Sequence, residues 1–116
     1  MARIGRVVTD PRTGPYCVIT LDSGDELIVS HETRGGARSR LVIEHSKLFG
    51  FSSDVIFACD LETPAGRTAL AELTRDARAD SFDVTPLGAL VRYVRDCPTA
   101  ADVKARCAAL PTARSA

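Results

Sequence analysis

The chain has 116 residues, 45% of them hydrophobic, and 15 basic residues balance 15 acidic ones. This length fits one core and one domain, and the zero net charge argues against a strongly basic nucleic-acid binder or a polyacidic tail. The first residues, MARIGRVV, lack the apolar region of a signal peptide, and no run approaches the roughly 18 apolar residues of a membrane span. We therefore expect a cytoplasmic protein without membrane contact.

The first 61 residues have the hydrophobic pattern of strands, which alternates with a period of two. The segments with this pattern are 4–9, 16–21, 26–30, 41–43 and 55–61. Pro and Gly separate the first two segments, and Gly24 in a tight turn leads into the third. Because the links are short or polar, we predict a five-stranded antiparallel sheet or a partly open barrel.

The stretch 41–61 has the densest apolar run and is predicted to form the centre of the core. Alternation in segment 55–61 places Val55 on the same face as Phe57. Ile56 and Ala58 are apolar as well. Both faces of this strand are therefore expected to be covered by other parts of the chain.

After residue 61 the hydrophobic period changes to that of helices. Thr63 and Thr85 each precede a proline, which is typical of an N-cap followed by Pro at the first helical position. Thr99 and Asp102 resemble a capping box. We predict three helices, the first ending near Ala79. The expected α+β domain has a β part at 1–61, a helical part at 62–111 and a disordered tail at 112–116.

The four cysteines, Cys17, Cys59, Cys97 and Cys107, are scattered without the spacing of a zinc ribbon. Thiols in a cytoplasmic protein are reduced. Cys17, Cys59 and Cys107 fall in apolar periodic positions, where free cysteine behaves as a small buried hydrophobic residue. A zinc site built from Cys59 and the two histidines is the alternative. We expect no metal and no other cofactor.

The segment 31–40 is glycine-rich and is the most basic part of the chain. We interpret Arg34, Arg38, Arg40 and Lys47 as candidate nucleic-acid-binding residues, because clustered basic charge on a glycine-containing loop can contact phosphate oxygens. The alternative is an ordinary solvated loop whose arginines keep the surface soluble. No aromatic residue lies between these arginines, whereas proteins that bind single-stranded nucleic acid typically stack its bases on aromatic side chains.

Two histidines stand next to glutamates, in His31-Glu32 and Glu44-His45. Neighbours on a strand point to opposite faces, so neither pair is expected to form a catalytic dyad. We interpret His45 as a core histidine with satisfied hydrogen bonds. No nucleophile-elbow, phosphate-loop or zinc-protease motif occurs. We therefore predict no catalytic residues and a non-enzymatic binding module.

The last two predicted helices are compatible with a helix-turn-helix, in which Lys104 and Arg106 would face the major groove of DNA. The alanine-rich third helix favours a packed helical hairpin instead.

The run at 89–107, ALVRYVRDCPTAADVKARC, resembles the helical repeat of RecX-family recombination regulators, with Cys97 where that family has Arg and Asp102 where it has Glu. The hairpin at 16–29 is similar to the β-segment before those repeats.

The resemblance implies a role in nucleic-acid metabolism through binding to a recombinase filament. Two functions therefore remain open at the level of sequence. The first is a non-enzymatic regulatory module that contacts nucleic acid or its protein machinery, and the basic loop from Arg34 to Arg40 favours it. The other is a protein–protein adaptor or a subunit of a larger complex without nucleic-acid contact, and the zero net charge favours it. A homo-oligomer is compatible with both.

Overall fold

The computed structural model describes residues 2–33, 39–47, 50, 52–75, 77 and 84–111. Within them, strands precede helices, and the predicted α+β order is confirmed. The strands are β1 (Arg3–Ile4), β2 (Val8–Asp10), β3 (Gly14–Thr20), β4 (Glu26–Thr33), β5 (Ser39–Lys47) and β6 (Ser52–Asp60). The helices are α1 (Pro64–Thr74), α2 (Pro86–Val94) and α3 (Ala100–Cys107). The predicted first strand is divided into β1 and β2.

The described strands form one antiparallel sheet in the order β1-β3-β4-β5-β6, with β2 also pairing with β3. Strands β3 to β6 are consecutive neighbours because the links between them are hairpins. Gly24, in the turn between β3 and β4, has a φ of 91°, as its position in the sequence predicted. Among the described strands β6 pairs only with β5, so the sheet is open and β6 is one of its edges.

The three helices cover one face of the sheet. On this inner face, Leu27 and Val29 of β4 and Leu41 and Ile43 of β5 are fully buried. They belong to a single hydrophobic cluster with the buried residues of all three helices. The predicted packing of helices on the last strand is confirmed, since the cluster also contains Phe57 together with Cys59 and Leu61. This packing places α3 close to the first half of β6.

The prediction for segment 55–61 is wrong at the start of the strand. The register between β5 and β6 shifts so that Ile56 has no partner on β5, which is a β-bulge. The bulge interrupts the alternation: Ile56 packs against the core, and Val55 is 59% exposed. Ala58 is exposed as well. The expected cover on both faces of β6 is therefore absent among the described residues.

All three predicted N-caps are confirmed. The hydroxyl oxygens of Thr63, Thr85 and Thr99 each accept a hydrogen bond from a backbone N–H three residues later, at 3.0 to 3.1 Å.

The first helix, however, ends at Thr74 rather than near Ala79. After Thr74 the backbone N–H groups of Arg75 and Ala77 donate to carbonyls three residues earlier, at 3.5 and 3.0 Å, so the bonding pattern of the α-helix stops there. Residues 79–83 and the predicted tail at 112–116 lie outside the described residues.

Candidate functional site

The four residues predicted to bind nucleic acid are only partly described. Arg34 and Arg38 lie outside the described residues. Arg40 and Lys47 occupy opposite ends of β5, about 23 Å apart along the strand. Arg40 Nε donates to Glu32 Oε1 at 2.7 Å, and Lys47 Nζ lies 2.5 Å from Asp54 Oδ2. Arg40 and Lys47 are therefore not neighbours, and each has an acidic partner.

A different group of charged side chains surrounds a cleft between the edge of the sheet and α3. The cleft has a volume of about 780 Å³. Residues 53–56 of β6 line it together with residues 99–101 at the start of α3 and Lys104 in its last turn. Asp25, His45 and Lys47 complete the lining. Its volume falls within the range of about 300 to 1,000 Å³ that is typical of ligand sites.

Asp25 connects the sheet to α3. Its Oδ2 accepts hydrogen bonds from the Ala100 N–H and the Ser23 hydroxyl, both at 2.9 Å, and its Oδ1 lies 3.3 Å from His45 Nε2. The hydrogen bond from the Ala100 backbone is the main cause that lowers the pKa of Asp25. The ionised carboxylate is thus a second acceptor at the N-terminus of α3, beside the N-cap Thr99.

The remaining charges of the cleft come from Lys47, Asp54 and Lys104. The hydrogen bond from Lys47 is the main cause that lowers the pKa of Asp54, and His45 and Lys104 contribute through their charge. The Asp54 side chain is 62% exposed, so water screens these interactions. Lys104 has no carboxylate within ion-pair distance in the described part of the chain. It is therefore a cation that a ligand in the cleft can reach.

His45 does not have the core surroundings that the sequence predicted. His45 is not a core residue: it is 22% exposed, lines the cleft and contacts Asp25. Its imidazole faces the Asp25 carboxylate and does not belong to the apolar core cluster. His31 Nε2 lies 2.6 Å from Ser39 Oγ, and burial lowers the pKa of His31.

The four cysteines are free and buried, which confirms the burial predicted for Cys17, Cys59 and Cys107. Burial raises the pKa of every one of these thiols, and raises the pKa of Cys107 to about 12. Among the described residues, no group of three or more His, Cys, Asp or Glu side chains could hold a metal ion. The thiols are therefore poor nucleophiles and packed as core residues.

Asp25 and Asp54 are not among the functional residues predicted from the sequence. The only local signal for Asp25 is its place after Gly24 in a tight turn. Its partner Ala100 lies 75 residues further along the chain, a separation that no pattern in the sequence reveals. The charged side chains of the cleft become neighbours only when α3 packs against the sheet.

The fold and the cleft together define a two-layer α+β domain with a binding-sized cleft at the edge of its sheet. Comparison with protein-family models, with curated proteins and with solved structures gives no match. In the part of the chain that the structure describes, no helix has the length and hydrophobicity needed to span a membrane.

Proposed function

We propose that this protein is a non-enzymatic binding module that acts as a protein–protein adaptor or as a subunit of a larger complex. The observation that carries the proposal is the cleft next to β6, an edge strand whose residue Val55 is exposed. The unpaired backbone groups of an edge strand readily pair with another chain. Apolar side chains surrounded by charged ones also resemble the centre and rim of protein interfaces.

A contact with nucleic acid through Arg34, Arg38, Arg40 and Lys47 is the second candidate. The basic glycine-containing loop supports it, as does the resemblance of residues 89–107 to the repeat of RecX-family regulators. The ion pairs of Arg40 and Lys47 weigh against it, because a paired cation offers less charge to a phosphate. We therefore rank the adaptor function first.

A selection of random-sequence peptides displayed on phage tests the adaptor proposal directly. We expect peptides that bind the folded chain and lose binding when Val55→Asp places a charge in the cleft. Val8→Asp is the matched control, because Val8 is also an exposed valine but lies on β2, at the other edge of the sheet. The proposal is wrong if no peptide is selected, or if the two variants reduce binding equally.

A salt titration separates the two candidates. Fluorescence anisotropy with single- and double-stranded DNA and RNA is measured between about 50 and 200 mM salt, where phosphate contacts weaken steeply. If the protein is an adaptor, we expect no salt-dependent binding of DNA or RNA. If binding is seen, replacing Arg34, Arg38 and Arg40 by Ala should flatten the salt slope by about three units while the protein stays folded. That result would replace the adaptor proposal by the nucleic-acid function.

A further inference from the structure

We infer that the cleft binds an extended peptide segment, which adds as a strand to the first half of β6 and places a carboxylate near Lys104. This inference rests on the proposed function and specifies the chemistry of the partner. Three features support it: the open backbone edge of β6, the small side chains at the start of α3, and the charge distribution of the cleft.

The first half of β6 has a free edge. Residues 52–55 are exposed, and no described strand pairs with their outer side. In a strand, successive backbone N–H and C=O groups alternate in direction, so part of this segment directs its hydrogen-bonding groups away from β5. An added strand satisfies these groups, which is how several peptide-binding domains hold extended ligands. The bulge at Ile56 ends the regular segment and limits such pairing to residues 52–55.

The first turn of α3 lies across the cleft from this edge. Ala100 and Ala101 have small side chains, which leave room for a peptide between the helix and β6. Val55 and Ile56 supply apolar surface on the strand side. A ligand residue with an apolar side chain can therefore be buried here, while the peptide backbone pairs with the edge of the sheet.

The charges of the cleft define which peptides fit best. Asp25 already accepts the Ala100 N–H, and Asp54 already holds Lys47. Lys104 is left without an ion pair to the described residues. A carboxylate of the ligand can form a charge-assisted hydrogen bond with Lys104. This carboxylate belongs either to an Asp or Glu side chain or to the C-terminus of the peptide.

A second copy of this chain is a poorer occupant of the edge. In a two-fold arrangement that pairs residues 52–55 with themselves, the Asp54 side chains of the two copies lie opposite each other or diagonally adjacent. Like charges at such cross-strand positions are destabilising. The charge pattern therefore favours a segment of a different protein.

The test uses a peptide from the phage selection and the full chain labelled with ¹⁵N. We expect chemical-shift changes concentrated in residues 52–56 and 99–104, and slower hydrogen exchange at backbone amides of residues 52–55. Methylating the peptide nitrogens one at a time should weaken binding at every second position, because only alternate N–H groups of an added strand face β6. Equal tolerance of methylation at all positions would overturn strand addition.

The role of Lys104 is tested by the Lys104→Gln variant, which should bind the peptide about tenfold more weakly. Arg95→Gln is the control, because Arg95 is an exposed cation at the end of α2 and does not line the cleft. Amidating the peptide C-terminus, or changing its Asp and Glu residues to Asn and Gln, identifies the source of the carboxylate. If Lys104→Gln binds like the parent, the assigned charge contact is wrong.

The outcomes distinguish this inference from the proposed function. A selected peptide whose shift changes lie away from β6 and α3 contradicts the inference but leaves a peptide-binding module. The absence of any selected peptide contradicts both. Slower exchange in residues 52–55 together with the loss of affinity in Lys104→Gln supports both.

Discussion

Asp25 offers the sharpest test of how the sheet and α3 are held together. Replacing it by Ala removes the acceptor for the Ala100 N–H and the Ser23 hydroxyl, and the contact with His45. Loss of a carboxylate acceptor at a helix N-terminus costs about 1 to 2 kcal/mol. The partly exposed contacts with Ser23 and His45 add less than about 1 kcal/mol. We therefore expect Asp25→Ala to lower the free energy of unfolding by about 2 kcal/mol, or the midpoint temperature by about 8 °C.

The pH dependence of this loss follows from the lowered pKa of Asp25. A carboxyl group whose pKa is lower in the folded state stabilises the fold above its unfolded pKa, which is about 3.9 for Asp. This stabilisation disappears as the pH falls through the lower pKa of the folded state. The difference in unfolding free energy between parent and Asp25→Ala should therefore be constant near neutral pH and shrink in acid.

Urea denaturation followed by far-ultraviolet circular dichroism measures both effects. Asp25→Asn keeps an acceptor oxygen without the charge and should fall between the parent and Asp25→Ala. Asp96→Ala removes an exposed carboxylate at the end of α2, and its effect should stay within about 0.5 kcal/mol. Equal stability of Asp25→Ala and the parent at neutral pH, or a difference that does not change in acid, would refute the reasoning.

Three further changes test the packing. Phe57→Ala, at a core position that is 7% exposed, should cost about 3 to 5 kcal/mol in urea denaturation, and a loss below about 1 kcal/mol would contradict its place in the core. Gly66→Ala should cost more than about 2 kcal/mol, because the added Cβ would stand 1.8 Å from the Asp60 carbonyl oxygen; an unchanged midpoint would contradict this close approach. The four buried thiols should react with a thiol reagent in urea and not in the native protein.

Local signals in the sequence predicted much of the fold. The threonine N-caps at Thr63, Thr85 and Thr99 were identified correctly because a cap acts on a backbone N–H only three residues away. The strands were recognised from the alternation of apolar residues. In the structure, however, β4, β5 and β6 also include polar residues outside the predicted segments. β5 runs from Ser39 to Lys47 because pairing with β4 includes polar residues that the hydrophobic pattern does not mark.

The parts that could not be predicted depend on contacts between distant segments. The bulge at Ile56 leaves Val55 exposed where the sequence predicted cover, and it arises from the register with β5 rather than from the composition of β6. The cleft itself requires α3 to lie beside the edge of the sheet, a placement that the contact between Asp25 and Ala100 helps to fix. The candidate site is thus a product of tertiary structure, in contrast to the basic loop, which is visible in the sequence.

If Asp25 positions α3, it should affect ligand binding as well as stability. The Ala100 N–H that it accepts belongs to the helix turn that lines the cleft, so losing this bond frees the cleft wall to move. Thr63→Ala is the matched comparison, since it removes a cap of similar strength from α1, which does not line the cleft. We expect Asp25→Ala to weaken peptide binding by about tenfold, and Thr63→Ala to leave affinity unchanged at a similar loss of stability. Equal affinities of the two variants in calorimetric titrations, well below their unfolding temperatures, would mean that Asp25 stabilises the fold without shaping the cleft.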